Sequence, residues 1–149
     1  MPEKADCAVR EVGEGKSYGQ LAEAVREAED GDVIRVHPGE YRGNLVIDRA
    51  ITLEAVEEGQ AKIIGTGKGN VITINHPGVT IKGFEISSGG LDYLKNDAAI
   101  MVTRDGARVE NNLIRQSLFG IYLKKSSNHV IRGNDIVGRK NRSFSERGN

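Results

Sequence analysis

The sequence predicts an all-β protein, a parallel β-helix of about four to five coils. The first observation is a repeat, because residues 71–86, 99–114 and 120–136 carry the same frame of apolar residues. The second is the content of each unit, three short apolar-x-apolar strands joined by turns. The third is the 19 glycines, which favour tight turns over long helices. Since one such unit cannot bury its own apolar side chains, the units must stack on each other.

The repeats define one inward-facing set of side chains when they are placed in register. Their spacing is 28 residues for the first step and 21 or 22 for the second, and an inserted loop at residues 87–97 accounts for the longer step. Leucine-rich repeats have a similar period but need a helical arm, which these units lack. The predicted core residues are Ile72, Ile74, Ile81, Ile86, Ile100, Val102, Val109, Ile114, Ile121, Leu123, Ile131 and Ile136.

A helix is predicted before the first coil, over residues 17–31. Ser17 is expected to cap its start, with Gln20 three residues later, and Gly31 to end it. An apolar stripe on this helix would cover the open end of the first coil, where unpaired backbone would otherwise meet water. The stripe consists of Leu21, Ala24, Val25 and Ala28.

The remaining segments complete a single domain of residues 1–149. We expect a flexible N-terminus at 1–16, coils at 32–138 and an irregular tail at 139–149. The tail offers neither an apolar strand nor a capping helix, so the C-terminal end is predicted to be uncapped. We therefore expect the chain to be an N-terminal fragment of a longer protein, or to self-associate through its last coil.

Charge and hydropathy exclude several classes of protein. The formal net charge is zero, which argues against a general nucleic-acid binder. Residues 104–149 carry 10 Lys and Arg against 4 Asp and Glu, so the region from Lys124 to Arg142 is a candidate basic docking end. No apolar run reaches the length of a membrane span, and residues 1–16 lack the apolar core of a signal peptide.

The outward positions of the repeated strands supply the candidate binding surface. Thr73, Met101 and Tyr122 occupy equivalent places on one face. Polysaccharide lyases and hydrolases built on β-helices place clustered acids on such a face, and no acid pair lines it here, so we predict no catalytic residue. A small polar site is predicted beside the inserted loop, the alternative being a solvated loop; its residues are Asp92, Tyr93, Asp97, Arg104 and Lys124.

Two asparagines have a predicted structural role. Asn112 and Asn134 occupy the same position in successive coils, and Phe84 takes that position one coil earlier. Stacked side-chain amides can bond the backbone groups of turns along the axis. We therefore interpret the three residues as a structural ladder and assign them no catalytic role.

No cofactor is evident from the residue types. His37, His76 and His129 fall in separate turns, and no pair has metal-ligand spacing. The soft donors are Met1, Cys7 and Met101, from which no complete copper site can be assembled in sequence. The identity of any bound metal therefore stays unknown.

Several segments resemble known families. GDVIRVHPGEY and LVIDRAITL resemble the opening of right-handed β-helices of the pectate-lyase-like superfamily. DAAIMV, NLIRQSLFGIYL, VIRGNDIVGR and ERGN together resemble the NosD family of nitrous oxide reductase maturation proteins, over roughly residues 31–149. The resemblance implies an exported, periplasmic protein without catalytic activity. It also implies an ABC transporter, a copper chaperone and the reductase as partners, and copper as the metal concerned.

Three functions follow as hypotheses. The leading one is a scaffold and interaction domain, similar to an accessory protein for copper-site assembly. The rival is a carbohydrate-binding or carbohydrate-active β-helix in which the loop at 87–97 and Tyr122 meet a sugar. The third is a minimal or engineered solenoid that has no activity of its own.

Overall fold

A computed structural model describes residues 8–90 and 97–137. The first part of the chain forms β1 (Val9–Val12), the helix α1 (Leu21–Glu27), β2 (Val33–Val36), β3 (Gly39–Arg42), β4 (Leu45–Ile47), β5 (Thr52–Ala55), β6 (Ala61–Ile64) and β7 (Ile72–Ile74). The second part forms β8 (Thr80–Lys82), β9 (Glu85–Ser87), β10 (Ala98–Val102), β11 (Arg108–Glu110), β12 (Leu113–Arg115), β13 (Phe119–Leu123), β14 (Val130–Arg132) and β15 (Asp135–Val137).

The strands form three parallel sheets that the chain visits in turn. Sheet A has the order β1-β2-β5-β8-β11-β14, sheet B the order β3-β6-β9-β12-β15, and sheet C the order β4-β7-β10-β13. Each coil contributes one strand to each sheet, beginning with β2, β3 and β4. The described residues thus build four complete coils and two strands of a fifth, with β1 as an extra strand below the first coil. The predicted parallel β-helix is confirmed.

The strand register agrees with the alignment of the repeats. Ile100 lies between Ile72 and Ile121, its equivalents in the neighbouring coils. Val109 likewise lies between Ile81 and Ile131, and Ile114 between Ile86 and Ile136. Because equivalent side chains sit about 4.8 Å apart along the axis, each coil covers the apolar surface of the coil before it.

The core is a continuous apolar column inside the three sheets. The predicted core residues from Ile72 to Ile121 are buried, and so are Ile34, Leu53 and Ile63 of the lower coils. Leu123, Ile131 and Ile136 are only partly buried. Leu123 ends the fourth coil, and Ile131 and Ile136 lie in the incomplete fifth coil, so their partial exposure follows from their place at the end of the described stack.

The helix α1 covers the first coil, but it is shorter than predicted. It packs against β1, β2 and β4 through the buried residues Leu21, Ala24 and Val25. The expected Ser17 cap is wrong, because the N-cap is Gln20, which makes no side-chain capping bond. Residues just before it are held in an extended pairing with β1, in which Tyr18 bridges Val12, and this delays the start of the helix.

The strand β1 corrects the prediction of a flexible segment at 1–16 for residues 9–12, whereas residues 1–7 lie outside the described residues. Its sequence VREV lacks the apolar-x-apolar frame of the repeats, yet it pairs in parallel with β2. Asp32, only 2% exposed, anchors it by accepting hydrogen bonds from the backbone N–H of Ala8 at 3.0 Å and Nε of Arg10 at 2.9 Å. The N–H of Glu29 donates a third bond at 2.8 Å. The carboxylate therefore ties β1, the segment after α1 and the start of β2 together.

Candidate functional site

The outer face of sheet C carries one column of side chains. Val46, Thr73, Met101 and Tyr122 are in register on β4, β7, β10 and β13. The column contains neither a carboxylate nor a cation. Val46 is 59% exposed, whereas Met101 is only 6% exposed. This face therefore presents Val46 and Tyr122 to solvent and keeps most of the Met101 thioether away from it.

An aromatic pair extends this face at the upper end. Phe119 and Tyr122, both on β13 and both half-buried, pack edge to face with ring centroids 5.5 Å apart. Such a pair is worth about 0.5–1.5 kcal/mol beyond the area that it buries. The outer face of sheet C, defined by Val46, Thr73, Met101, Phe119 and Tyr122, is thus apolar and partly aromatic.

Of the polar residues predicted beside the inserted loop, the three that the structure describes do not all lie together. Asp97 directly precedes β10 and is buried, and its carboxylate packs against the backbone of Gly90, where no side chain would fit. Arg104 and Lys124 are exposed and follow the C-terminal ends of β10 and β13, whereas Asp97 precedes the N-terminal end of β10. Arg104 is seven positions after Asp97 along a nearly extended chain, or roughly 20 Å away. Asp92 and Tyr93 lie outside the described residues.

The asparagine ladder joins three coils. The Asn112 side chain accepts a hydrogen bond from the Phe84 backbone N–H at 2.9 Å and donates to the Ile81 carbonyl at 3.1 Å. Oδ1 of Asn134 accepts from the Asn112 backbone N–H at 3.0 Å, and Nδ2 of Asn134 donates to the Val109 carbonyl at 2.8 Å. Phe84 contributes its backbone N–H to this ladder, and its side chain is fully buried. These contacts occupy the amides with backbone groups of the turns.

A second ladder, which the sequence analysis missed, runs up the outer face of sheet A. Its charges alternate in sign at every step, and neighbours are in register. Glu54 contacts Arg35 and Lys82, each at 3.6 Å, and Glu110 contacts Arg132 at 3.5 Å. Exposed pairs of this kind contribute about 0–1 kcal/mol each. The ladder consists of Glu11, Arg35, Glu54, Lys82, Glu110 and Arg132.

A serine and a histidine lie together but cannot act as a catalytic dyad. Nε2 of His129 is 2.8 Å from Oγ of Ser126. However, the Ala107 backbone N–H donates to Nδ1 of His129 at 3.0 Å, so Nδ1 carries no proton and the neutral ring holds its proton on Nε2. That nitrogen donates to Ser126 and cannot take its proton. Burial lowers the pKa of His129 below 6.5, which favours this neutral form, although Asp105 opposes the shift in part.

The described residues do not fit a copper site. Within residues 8–90 and 97–137, no group of three or more His, Cys, Asp or Glu side chains lies close enough to hold a metal ion. The thioether of Met101 has Thr73 and Tyr122 as its neighbours in register, and neither supplies a soft donor. In the same part of the chain, no helix has both the length and the apolar character needed to cross a membrane.

Comparison with known proteins finds relatives named as NosD and as a cell surface glycoprotein. No protein-family profile matches the chain. It is 34% identical over 113 residues to "Probable ABC transporter binding protein NosD" of Pseudomonas aeruginosa, covering 74% of this chain and 26% of that protein. NosD of Stutzerimonas stutzeri is 28% identical over 117 residues, covering 77% and 26%. A cell surface glycoprotein of Methanothermus fervidus is 26% identical over 111 residues, covering 73% and 18%. The match thus spans about a quarter of the NosD proteins.

Solved structures show the same fold at low sequence identity. A mutant pectin methylesterase in complex with a hexasaccharide superposes with a TM-score of 0.64 at 17% identity, covering 91% of this chain and 56% of that one. The alginate lyase AlyGC gives 0.61 at 20% identity, covering 93% and 22%. The chain is therefore a homologue of the NosD proteins over about three quarters of its length, with the β-helix fold of the pectin methylesterases and pectate-lyase-like proteins.

Proposed function

We propose that the chain is a non-catalytic docking domain of a NosD-like protein that assists copper-site assembly in nitrous oxide reductase. Its outer face of sheet C binds a protein partner, of which an ABC transporter is the first candidate because that is what the NosD relatives are named for. A copper chaperone and the reductase are the other candidates, through the family resemblance. The same resemblance, together with the cell surface relative, supports a site of action outside the cytoplasm.

The composition of the outer face of sheet C carries this proposal. Acid–base cleavage of a polyuronide needs carboxylates or strong bases on the working face, and the column from Val46 to Tyr122 offers none. Exposed apolar and aromatic side chains are the groups on which protein interfaces depend. A rigid stack of strands holds them in fixed relative positions, so a partner meets a preformed surface and little ordering entropy is lost on binding.

Copper enters this proposal as the cargo of the partners. Among the described residues, Met101 is an isolated and largely buried thioether. We therefore assign the domain a positioning role, in which it holds partner proteins and does not itself bind the copper. The predicted contribution of the chain is to hold a transporter, chaperone or apo-reductase in place.

A matched pair of valines tests the surface. Val46 on sheet C is 59% exposed and Val9 on sheet A is 56% exposed, so both tolerate a polar side chain equally well. The labelled chain is titrated with the purified transporter in nanodiscs, with the copper chaperone and with the apo-reductase, first unmodified and then as Val46→Lys and Val9→Lys. We expect Val46→Lys to weaken binding to one partner at least tenfold, since it places a charge in an apolar contact.

Val9→Lys should leave that affinity within about twofold of the unmodified chain. Equal losses in the two variants would assign the contact elsewhere on the β-helix. Failure of all three partners to bind would remove the proposal. Circular dichroism of both variants verifies that the β-sheet content is unchanged.

A carbohydrate ligand is the second candidate, favoured by the half-buried Phe119–Tyr122 pair. Aromatic rings at a surface stack on the C–H faces of sugars, and β-helix neighbours of this chain include a pectin methylesterase bound to a hexasaccharide. Incubation with a panel of polyuronides and neutral glycans separates the two functions. Cleavage, or saturable binding lost in Tyr122→Ala, would favour the carbohydrate function over protein docking.

A further inference from the structure

Within the described residues, no strand pairs with the lower edge of sheet B. Below the first coil, sheet A continues into β1, and the sheet C strand β4 is covered by α1. Sheet B begins at β3, whose single strand neighbour within the described residues is β6. A strand in this position offers a row of backbone groups to another chain.

The backbone of β3 points half of its hydrogen-bonding groups into this open space. The N–H groups of Gly39 and Gly43 donate to β6 and its end, at the carbonyls of Gln60 (3.1 Å) and Ile64 (2.9 Å). Because alternate residues of a strand face opposite edges, the N–H and C=O groups of Glu40 and Arg42 face away from β6. None of these four groups bonds to another residue in the described part of the chain.

A cleft of about 360 Å³ lies along this edge. Residues 40–43 of β3 and its end form one wall, and residues 19–22 at the start of α1 form the other. The floor is apolar, since it includes Leu21, Leu45 and Ile63, which are 3%, 6% and 1% exposed. The cleft thus combines an apolar floor with a line of free backbone donors and acceptors.

The charges beside the edge specify what fits there. On the outer face of sheet B, Glu40 is followed by Lys62 and then Glu85 in register, so the sign alternates along the axis. The next strand below would continue this order with a cation beside Glu40. Two residues further along β3, Arg42 is exposed, so an anionic side chain at the position beside it on the added strand would be attracted to it. Between them, an apolar side chain would point inward, beneath Tyr41, onto the floor of the cleft.

We propose that this edge binds an extended segment of a partner protein with the order cation, apolar residue, anion, as an added parallel strand of sheet B. Strand addition supplies main-chain hydrogen bonds for affinity and side-chain positions for specificity. The parallel direction follows the strands already present in sheet B. This site lies on a different sheet from the outer face of sheet C and does not depend on the docking function proposed there.

Two eight-residue peptides of identical composition test this proposal with the complete chain. One contains Lys-Val-Glu at its centre and the other Glu-Val-Lys, in the same Gly, Ser and Thr flanks. Fluorescence anisotropy at low salt should give about a tenfold preference for the Lys-Val-Glu peptide, because two attractive contacts replace two repulsive ones. Binding of neither peptide, or equal binding of both, would overturn the proposal.

The double variant E40K/R42E is the decisive control. It keeps the ion pair between these side chains, 3.2 Å apart, in reversed form, and circular dichroism checks that the repulsion introduced against Lys62, in register on β6, leaves the fold unchanged. The peptide preference should reverse in this variant. An unchanged preference would show that the peptides bind elsewhere.

A proline on the edge tests the backbone contribution. Glu40→Pro removes an N–H that faces the cleft and leaves the bonds between β3 and β6 in place, so peptide binding should fall at least fivefold with unchanged circular dichroism. Sedimentation of the chain alone tests whether a second copy of the chain occupies the edge instead. Dimers that disappear in Glu40→Pro would mean that a second copy fills the edge, and this would overturn the proposal of a partner segment.

Discussion

Replacing Asn112 by alanine tests the physical basis of the stacked coils. Its side chain is 1% exposed and lies between the third and fifth coils. In Asn112→Ala, the Phe84 N–H loses its acceptor at 2.9 Å and the Ile81 carbonyl loses its donor at 3.1 Å, both inside the protein. Each buried group without a partner costs about 1–3 kcal/mol, so we expect a loss of about 2–5 kcal/mol in the free energy of unfolding.

Urea unfolding followed by circular dichroism measures this loss, and Asn75→Ala is its matched control. Asn75 is exposed and accepts a bond from Oγ1 of Thr103 at 3.1 Å, so its removal should cost less than about 1 kcal/mol. Asn134→Ala, at a half-buried position, should fall between the two. If Asn112→Ala and Asn75→Ala lower stability equally, the ladder does not hold the coils together and our reasoning about it fails.

Three further predictions concern charges. Because burial lowers the pKa of His129 in the folded protein, the unfolded chain takes up a proton on this ring first as the pH falls. The stability of the protein should therefore fall as the pH drops below 6.5. The midpoint of urea unfolding should be lower at pH 5.5 than at pH 7.5, and His129→Gln should reduce this difference. For Asp32, burial as the largest influence raises the pKa, but the N–H groups of Glu29 and Ala8 and the Arg10 side chain lower it below 3.8 in total. The stabilisation of the fold by the Asp32 carboxylate should therefore be present above pH 4 and lost as the pH falls through the lower folded pKa. In urea titrations at pH 7, Asp32→Ala should lower the free energy of unfolding by about 2–4 kcal/mol. The matched variant Asp48→Ala, at an exposed position, should lower it little. Glu54→Lys should lower the unfolding free energy by about 1–2 kcal/mol in low salt and less in 1 M NaCl, whereas Glu58→Lys at an exposed position should show no such salt effect.

The upper coils could be predicted because their apolar frame repeats. Side chains such as Ile72, Ile100 and Ile121 must share one interior, and this fixes both the strand order and the register. The lower strands β1 and β3 could not be found in this way, because VREV and GEYR do not carry the apolar-x-apolar frame of the repeats. Their pairing is decided by contacts distant in sequence, such as the bonds from Ala8 and Arg10 to Asp32.

The candidate surface could likewise be predicted only in part, because sequence gives the side of a strand on which a residue lies but not what covers it. Alternation along a strand correctly places Met101 on the outer side of sheet C, between Thr73 and Tyr122. It does not reveal that the side chain is covered, since burial on an outer face depends on neighbouring segments rather than on the strand itself. The charge ladder of sheet A escaped notice for a related reason: Glu11, Arg35 and Glu54 become neighbours only once the register of the lower coils is known.

Site-specific photo-crosslinking tests the central claim most directly, namely that the outer face of sheet C is where a protein partner docks. A photoreactive phenylalanine analogue is placed at Val46 or at Val9, two positions of nearly equal exposure on different sheets, and the chain is irradiated with the transporter, the chaperone and the reductase. We predict a crosslink from position 46 to one of these proteins and none from position 9. Crosslinks from position 9 alone, or from neither position to any of the three, would contradict the account.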